Sequence, residues 1–308
     1  MMATLRPILL LARREVRLLL RSRGTLGAVA LLVGVAWLPV ILLPLRSGLL
    51  GVATFGEMIP LQIALEGVIL PLLALLAGAD LLAGELEAGS LLSIVTLPIS
   101  RRACFVGKCL GRSCLFAALY LVAFSSAGAT VVLSQGVEGW KDWAAVVGVG
   151  LVLSLACGAV GTTLGASGRG RLRAFGGALT VWIVLVFALD ALLLAVVVAL
   201  APPPPSSIGE HGHSEIQAPA NRDPHARHAE PEGRQPTNLS GWVMALNPVS
   251  LFRLTALVSS PELRPRLDLA LPAGSPAEMF AVVTVGWLAW LAAPVFVGLR
   301  RFQRADLH

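Results

Sequence analysis

Residues 144–165 read AAVVGVGLVLSLACGAVGTTLG, a run without a charged side chain. At about 1.5 Å of rise per residue, a helix of that length reaches across the roughly 30 Å hydrocarbon core of a bilayer. No alternation with a period of two runs through it, so it does not read as a strand of a membrane barrel. Backbone polar groups in lipid must be satisfied internally, and a helix does this within one segment. The stretch therefore predicts a transmembrane α-helix.

Five more apolar runs of the same character lie at about 25–45, 61–83, 110–133, 175–200 and 277–299. The stretch from Ala191 to Leu200 is apolar all round, as a lipid-embedded helix must be. The whole chain agrees: 308 residues with 56% apolar and 14% charged content, and a mean hydropathy of +0.78, suit a lipid solvent far better than a soluble domain. The predicted fold is an all-α integral membrane protein of six transmembrane helices. A net charge of +6 raises the question of nucleic acid, but the basic residues sit beside the apolar runs, which speaks for a membrane and against a nucleic-acid partner.

Residues 4–22 predict an amphipathic helix at the cytoplasmic membrane surface. Arg6, Arg13, Arg17 and Arg21 share one face, while Ile8, Leu9, Val16, Leu19 and Leu20 populate the other. This Arg-rich stretch is longer than the basic region of a signal peptide, and no small-residue cleavage site follows the first apolar run. The chain divides into an N-terminal helix (1–24), five spans with a charged segment at 84–112 (25–200), a long His- and Pro-rich segment (201–274), and a sixth span with a basic tail (275–308).

The basic residues predict orientation. Sixteen of the 24 fall in one set of connections, at residues 6–23, 101–112, 169–173 and 300–304, whereas the short connections of the other set hold Arg46 and Lys141 alone. The first set is expected in the cytoplasm, which puts both termini there and makes the chain a multi-pass protein of the bacterial inner membrane. Trp140 and Trp143 flank the outer turn between the third and fourth spans, where indole rings favour the headgroup region. The apolar piece from Trp242 to Val258 is too short to span and is expected in the outer interface.

Several chemistries lack their residues. The nearest approach to a P-loop is Gly107-Lys108, but Arg102 stands where the first glycine is needed and Cys109 where magnesium needs a Ser or Thr. All five histidines lie outside the spans, leaving any membrane serine without a base. The chain is thus expected to be no enzyme. Cys104, Cys109, Cys114 and Cys157 have no CxxC spacing and read as free thiols.

Two acids fall inside the apolar runs, Asp190 past the middle of the fifth and Glu66 near the outer end of the second. A carboxylate in lipid is costly and faces a cavity or a partner. One reading is a polar lining for an outward-facing cavity at a dimer axis; the other is a hydrogen bond between helices or, for Glu66, exposure at the interface. In the long polar segment, His211 and His213 fall on one side of an extended chain, and His225 and His228 on one helical turn. Such a set suits weak binding of Cu(II), Zn(II) or Ni(II); without Cys or Met between them, Cu(I) is disfavoured. The alternative is a solvated linker.

The segment at 84–112 carries a resemblance. Glu85, Glu87 and Gly89, then Pro98, Ser100, Arg101 and Arg102, then Gly107 and Lys108, look like the coupling segment of type-2 ABC permeases. The resemblance implies a cytoplasmic coupling helix, and Glu85, Glu87, Gly89, Pro98, Ser100, Arg101, Arg102 and Lys108 as the residues that meet a separate cytosolic ATPase, which holds the ATP. The physics suits this: a motor drives a membrane protein through a stiff protrusion with charges at its rim and apolar residues at its centre. More narrowly, LVFALD at 185–190, LNPVSLFRL at 246–254 and RRFQRADL at 300–307 are similar to the permease of the nitrous-oxide-reductase maturation system. That resemblance implies a homodimer, two ATPases, a periplasmic β-helical partner and a role in assembling a copper-sulfur centre; the long His-rich insertion departs from the pattern. Two competing readings are a generic exporter permease for drugs, lipids or glycans, and a membrane-anchored metal-binding scaffold that moves nothing.

Overall fold

The computed structural model describes residues 2–47, 51–87, 89, 100–167, 170–189, 191–192, 239–260 and 275–304. Among them all regular structure is helical: α1 (Met2–Leu20), α2 (Arg23–Ser47), α3 (Phe55–Glu87), α4 (Arg101–Gln135), α5 (Trp140–Gly165), α6 (Arg171–Ile183) continued by a π turn (Val184–Ala188), α7 (Leu239–Ala245), α8 (Pro248–Ser259) and α9 (Pro276–Arg304). Six helical stretches are long and apolar enough to cross a membrane: Gly24–Leu45, Phe55–Glu87, Arg101–Gln135, Trp140–Gly165, Arg171–Ala188 and Pro276–Arg304. Each overlaps one of the six apolar runs, residues 193–200 of the fifth run lying outside the described residues, and the all-α membrane fold stands.

Small residues decide how the helices pack. Without a hydrophobic drive between helices in lipid, association relies on close van der Waals contact, which glycine permits. α3 and α5 meet at Gly78 and Gly161: a Cβ on Gly78 would run into the Gly158 carbonyl, and one on Gly161 into the Leu75 carbonyl. α1 docks on α4 in the same way. A Cβ on Gly107 would stand 2.9 Å from the Ile8 carbonyl oxygen, and one on Gly111 2.6 Å from that of Ala12. The predicted N-terminal helix exists, with Leu11 and Glu15 buried on its inward face and Leu9 and Leu20, expected on the apolar face, exposed.

Two expectations need correction. Trp143 is only 5% exposed and does not sit among headgroups. Its ring packs against Phe55 (centroids 5.8 Å apart) and Phe124 (6.4 Å), because the helical turn at Trp143 faces α3 and α4 while Trp140 faces outward. The Trp242–Val258 piece forms α7 and α8, and α8 does not lie on the lipid surface. Residues Val249, Leu251, Phe252 and Leu254 are buried against α5, α3 and α9, since α8 is apolar on most of its circumference and finds protein on several sides.

The segment at 84–112 is divided by the helices. Gly84–Glu87 continues α3 and Arg101–Arg112 belongs to α4, so residues 88–100 are what connects them. At 33 and 35 residues, α3 and α4 reach about 50 Å each, well beyond the hydrocarbon core, and carry their charged ends out of it.

Candidate coupling site at the basic end of the bundle

Where α1, α3, α4 and α6 converge, six charged side chains form one connected cluster. Lys108 Nζ donates to Glu85 Oε1 at 2.5 Å and to Glu15 Oε2 at 3.2 Å. Arg112 reaches Glu15 Oε1 at 3.6 Å and Asp80 Oδ2 at 3.9 Å, and its Nη1 donates to the Ala77 carbonyl at 2.6 Å. Arg171 Nε meets Asp80 Oδ1 at 2.9 Å. Three cations face three carboxylates, so the cluster is neutral as a whole. Burial is graded: the Lys108 side chain is 1% exposed, that of Arg171 50%. At the buried end, removing one partner strands a charge and costs about 3–5 kcal/mol; at the exposed end a pair contributes about 0–1 kcal/mol.

The cluster marks a membrane boundary. On α4 no charge follows Arg112 as far as Gln135, and on α6 none follows Arg173 within the described residues. On α3 the residues between Glu66 and Asp80 are uncharged. The charges therefore ring the point where all three helices enter lipid. A cavity of about 30 Å³ opens beside them, lined by Arg112, Cys109, Ser154 and Thr162. It has room for a water or two and is far below the roughly 300 Å³ of a drug-sized site.

The residues read from sequence divide between this interior and the surface around it. Glu85 and Lys108 belong to the cluster, and Lys108 is too deeply buried to meet another protein. Ser100 caps α4, its Oγ accepting from the Ala103 amide at 3.2 Å. Arg101 spans the fold to donate to the Gln303 carbonyl at 3.2 Å, holding the end of α9, where Phe302 packs on Phe105. Gly89, with φ of 69°, adopts the left-handed conformation just after α3. Glu87 and Arg102 are exposed. Pro98 lies outside the described residues, as do Asp190, His211, His213, His225 and His228.

Sequence reasoning missed Glu15, Asp80, Arg112 and Arg171 as members of this site. Glu15 did carry a signal: it is the first acid in the chain, alone in an Arg-rich helix, on the face with Ile8, Leu11 and Ala12. A lone acid on an otherwise apolar stripe needs a cation, and α4 supplies two.

A second polar cluster lies inside the opposite half of the bundle. Glu66 is fully buried, which excludes exposure at the interface. Gln62 Nε2 donates to Glu66 Oε1 at 3.1 Å, and Tyr120 Oη lies 3.1 Å from Glu66 Oε2 and 3.0 Å from the Val147 carbonyl. Gly150 of α5 leaves the space this carboxyl occupies. The geometry is that of a hydrogen bond between helices. Nearby, Asn247 uses both ends of its amide: Oδ1 caps α8 by accepting from Val249, and Nδ2 donates to the Leu185 carbonyl in the π turn at 2.8 Å.

A six-span helical bundle with a docked N-terminal helix and a braced charge cluster at one end suits a membrane transporter subunit. The profile of a family described as ABC-2 family transporter protein matches residues 9–307, and the chain belongs to that family. It is 29% identical over 306 residues to a protein of Stutzerimonas stutzeri named probable ABC transporter permease protein NosY, covering 96% of this chain and 97% of that one. A protein of the same name from Pseudomonas aeruginosa is 28% identical over 256 residues, 80% of each chain.

Proposed function

We propose that this chain is the non-catalytic permease half of an ABC transporter whose ATPase is a separate polypeptide, and that it couples ATP hydrolysis to an extracytoplasmic step in nitrous-oxide-reductase maturation. The observation that carries the reading is the end-to-end likeness to a relative named NosY, 96% of one chain and 97% of the other. In this reading the basic end faces the cytoplasm, two copies pair in the inner membrane, and a periplasmic β-helical protein meets the opposite end. The connection from Gly89 to Ser100 is the docking knob. Glu87 and Arg102 are the charges it offers to the ATPase, whereas Lys108, Glu85 and Glu15 fix its base so that a push moves α1, α3 and α4 together.

Co-expression with an ABC ATPase from the same organism tests the first half: the pair is expected to co-purify, and Arg102→Glu with Glu87→Lys to weaken retention at least tenfold. Loss of the chain is expected to leave the reductase without its copper-sulfur centre, read from its visible absorption. A fully assembled centre in the deletion strain removes the maturation role and leaves the generic exporter. A permease that never retains an ATPase, yet loses function when residues 202–240 are deleted, is the metal-binding scaffold instead.

A further inference from the structure

We infer that the outward face of α1 is a binding surface for anionic phospholipid headgroups. The inward face of α1 is used up by α4, through Gly107 and Gly111, and the single acid of the helix, Glu15, is turned into the charge cluster. What remains outward is Arg13, Arg14, Arg17 and Arg21, all exposed. Among the described residues none of the four lies within ion-pair distance of a carboxylate. Among the described residues no charge complement faces them, and an anionic surface outside the bundle supplies one.

Lipid fits this face better than an acidic protein does, for two reasons. Leucines are interleaved with the arginines: Leu10 stands one turn before Arg13 and Arg14, Leu18 one turn after Arg14, and Leu9 and Leu20 border the stripe, each at least half exposed. Guanidinium groups beside bare leucines suit the level where phosphates meet acyl chains. Depth agrees. α1 crosses α4 at residues 107–111, immediately on the charged side of Arg112, beyond which α4 carries no charge. The helix is thereby held at the height of the headgroups, where a negatively charged leaflet attracts each Lys or Arg with about 1 kcal/mol, or roughly fivefold in binding.

The inference rests on the membrane fold and not on ATPase coupling, so lipid retention is measured on the permease alone. Full-length protein in nanodiscs of mixed phosphatidylcholine and phosphatidylglycerol is released into a native mass spectrometer, and the retained lipid is identified. The wild type is expected to retain phosphatidylglycerol preferentially, less so as ionic strength rises before release. Replacing Arg13, Arg14, Arg17 and Arg21 with Gln is expected to lower that preference about fivefold per residue, while replacing them with Lys preserves it. Equal retention by wild type and Gln variant overturns the inference. A Gln variant that keeps its phosphatidylglycerol but no longer binds the ATPase overturns it too, and assigns the face to the motor. If the fourfold variant does not fold, four single Gln variants compared with their Lys counterparts decide the same question.

Discussion

At the scale of single residues, Lys108 shows how burial changes what a charge can do. In the sequence it follows a glycine in a basic stretch and reads as one of several surface cations. In the fold its ammonium is enclosed between Glu15 and Glu85, so it joins helices instead of meeting a partner. Lys108→Ala removes the buried cation that Glu15 and Glu85 share and is expected to destabilise the protein by about 3 kcal/mol, a clear fall in the thermal unfolding midpoint in detergent. Arg171→Gln, at the half-exposed end of the same cluster, is expected to cost about 1 kcal/mol or less. Comparable shifts for both would refute the graded burial. The same contrast separates Glu66 from its surroundings: Gly150→Ala pushes a methyl group into the Glu66 and Tyr120 oxygens, with an expected cost of about 1–3 kcal/mol. Gly148→Ala, which meets nothing, is the control on the same helix and should leave the midpoint unchanged or slightly raised.

At the scale of elements, the helices were legible because apolar length is a property of the chain alone, but their contacts were not. In the sequence Gly107 stands in a Gly-Lys pair; in the fold its partner is Gly111, four residues on, and together they form the seat of α1. Four-residue spacing of small residues is a recognised packing signal in membranes, so this seat was available in the sequence. Gly107→Leu with Gly111→Leu is expected to lift α1 from α4, breaking the Glu15–Lys108 pair and opening Arg13–Arg17 to trypsin in detergent. Unchanged protection would show that α1 is held by something else. The π turn at Val184–Ala188 left no trace in composition or periodicity. It widens the helix by a residue and frees a carbonyl, and Asn247 takes it up from more than 60 residues away. Asn247→Leu removes both this bond and the α8 cap, with an expected loss of about 1–2 kcal/mol and faster amide exchange at the start of α8.

For the whole molecule, orientation is the question on which the coupling reading turns. Sixteen basic residues on one set of connections predict that Glu87 and Arg301 lie inside the cell and Trp140 outside. In a cysteine-free background, Trp140→Cys is expected to react with a membrane-impermeant maleimide in intact cells, and Glu87→Cys only after permeabilisation. The reverse pattern would place the charge cluster on the wrong side for any cytosolic motor.

The chain by itself determined the solvent and the number of spans, because hydrocarbon admits only long apolar helices. It also marked two segments that break the pattern, 84–112 and the His- and Pro-rich stretch that begins at Pro202. Only the tertiary structure decided which charges meet which: Glu15 with Lys108, Asp80 with Arg171, Arg101 with the last turn of α9. Pairing depends on distances between helices far apart in sequence, and those distances are set by where glycine lets two backbones touch. Trp143 and α8 moved from surface to interior for the same reason, since an apolar side chain on a helix looks alike whether lipid or protein covers it.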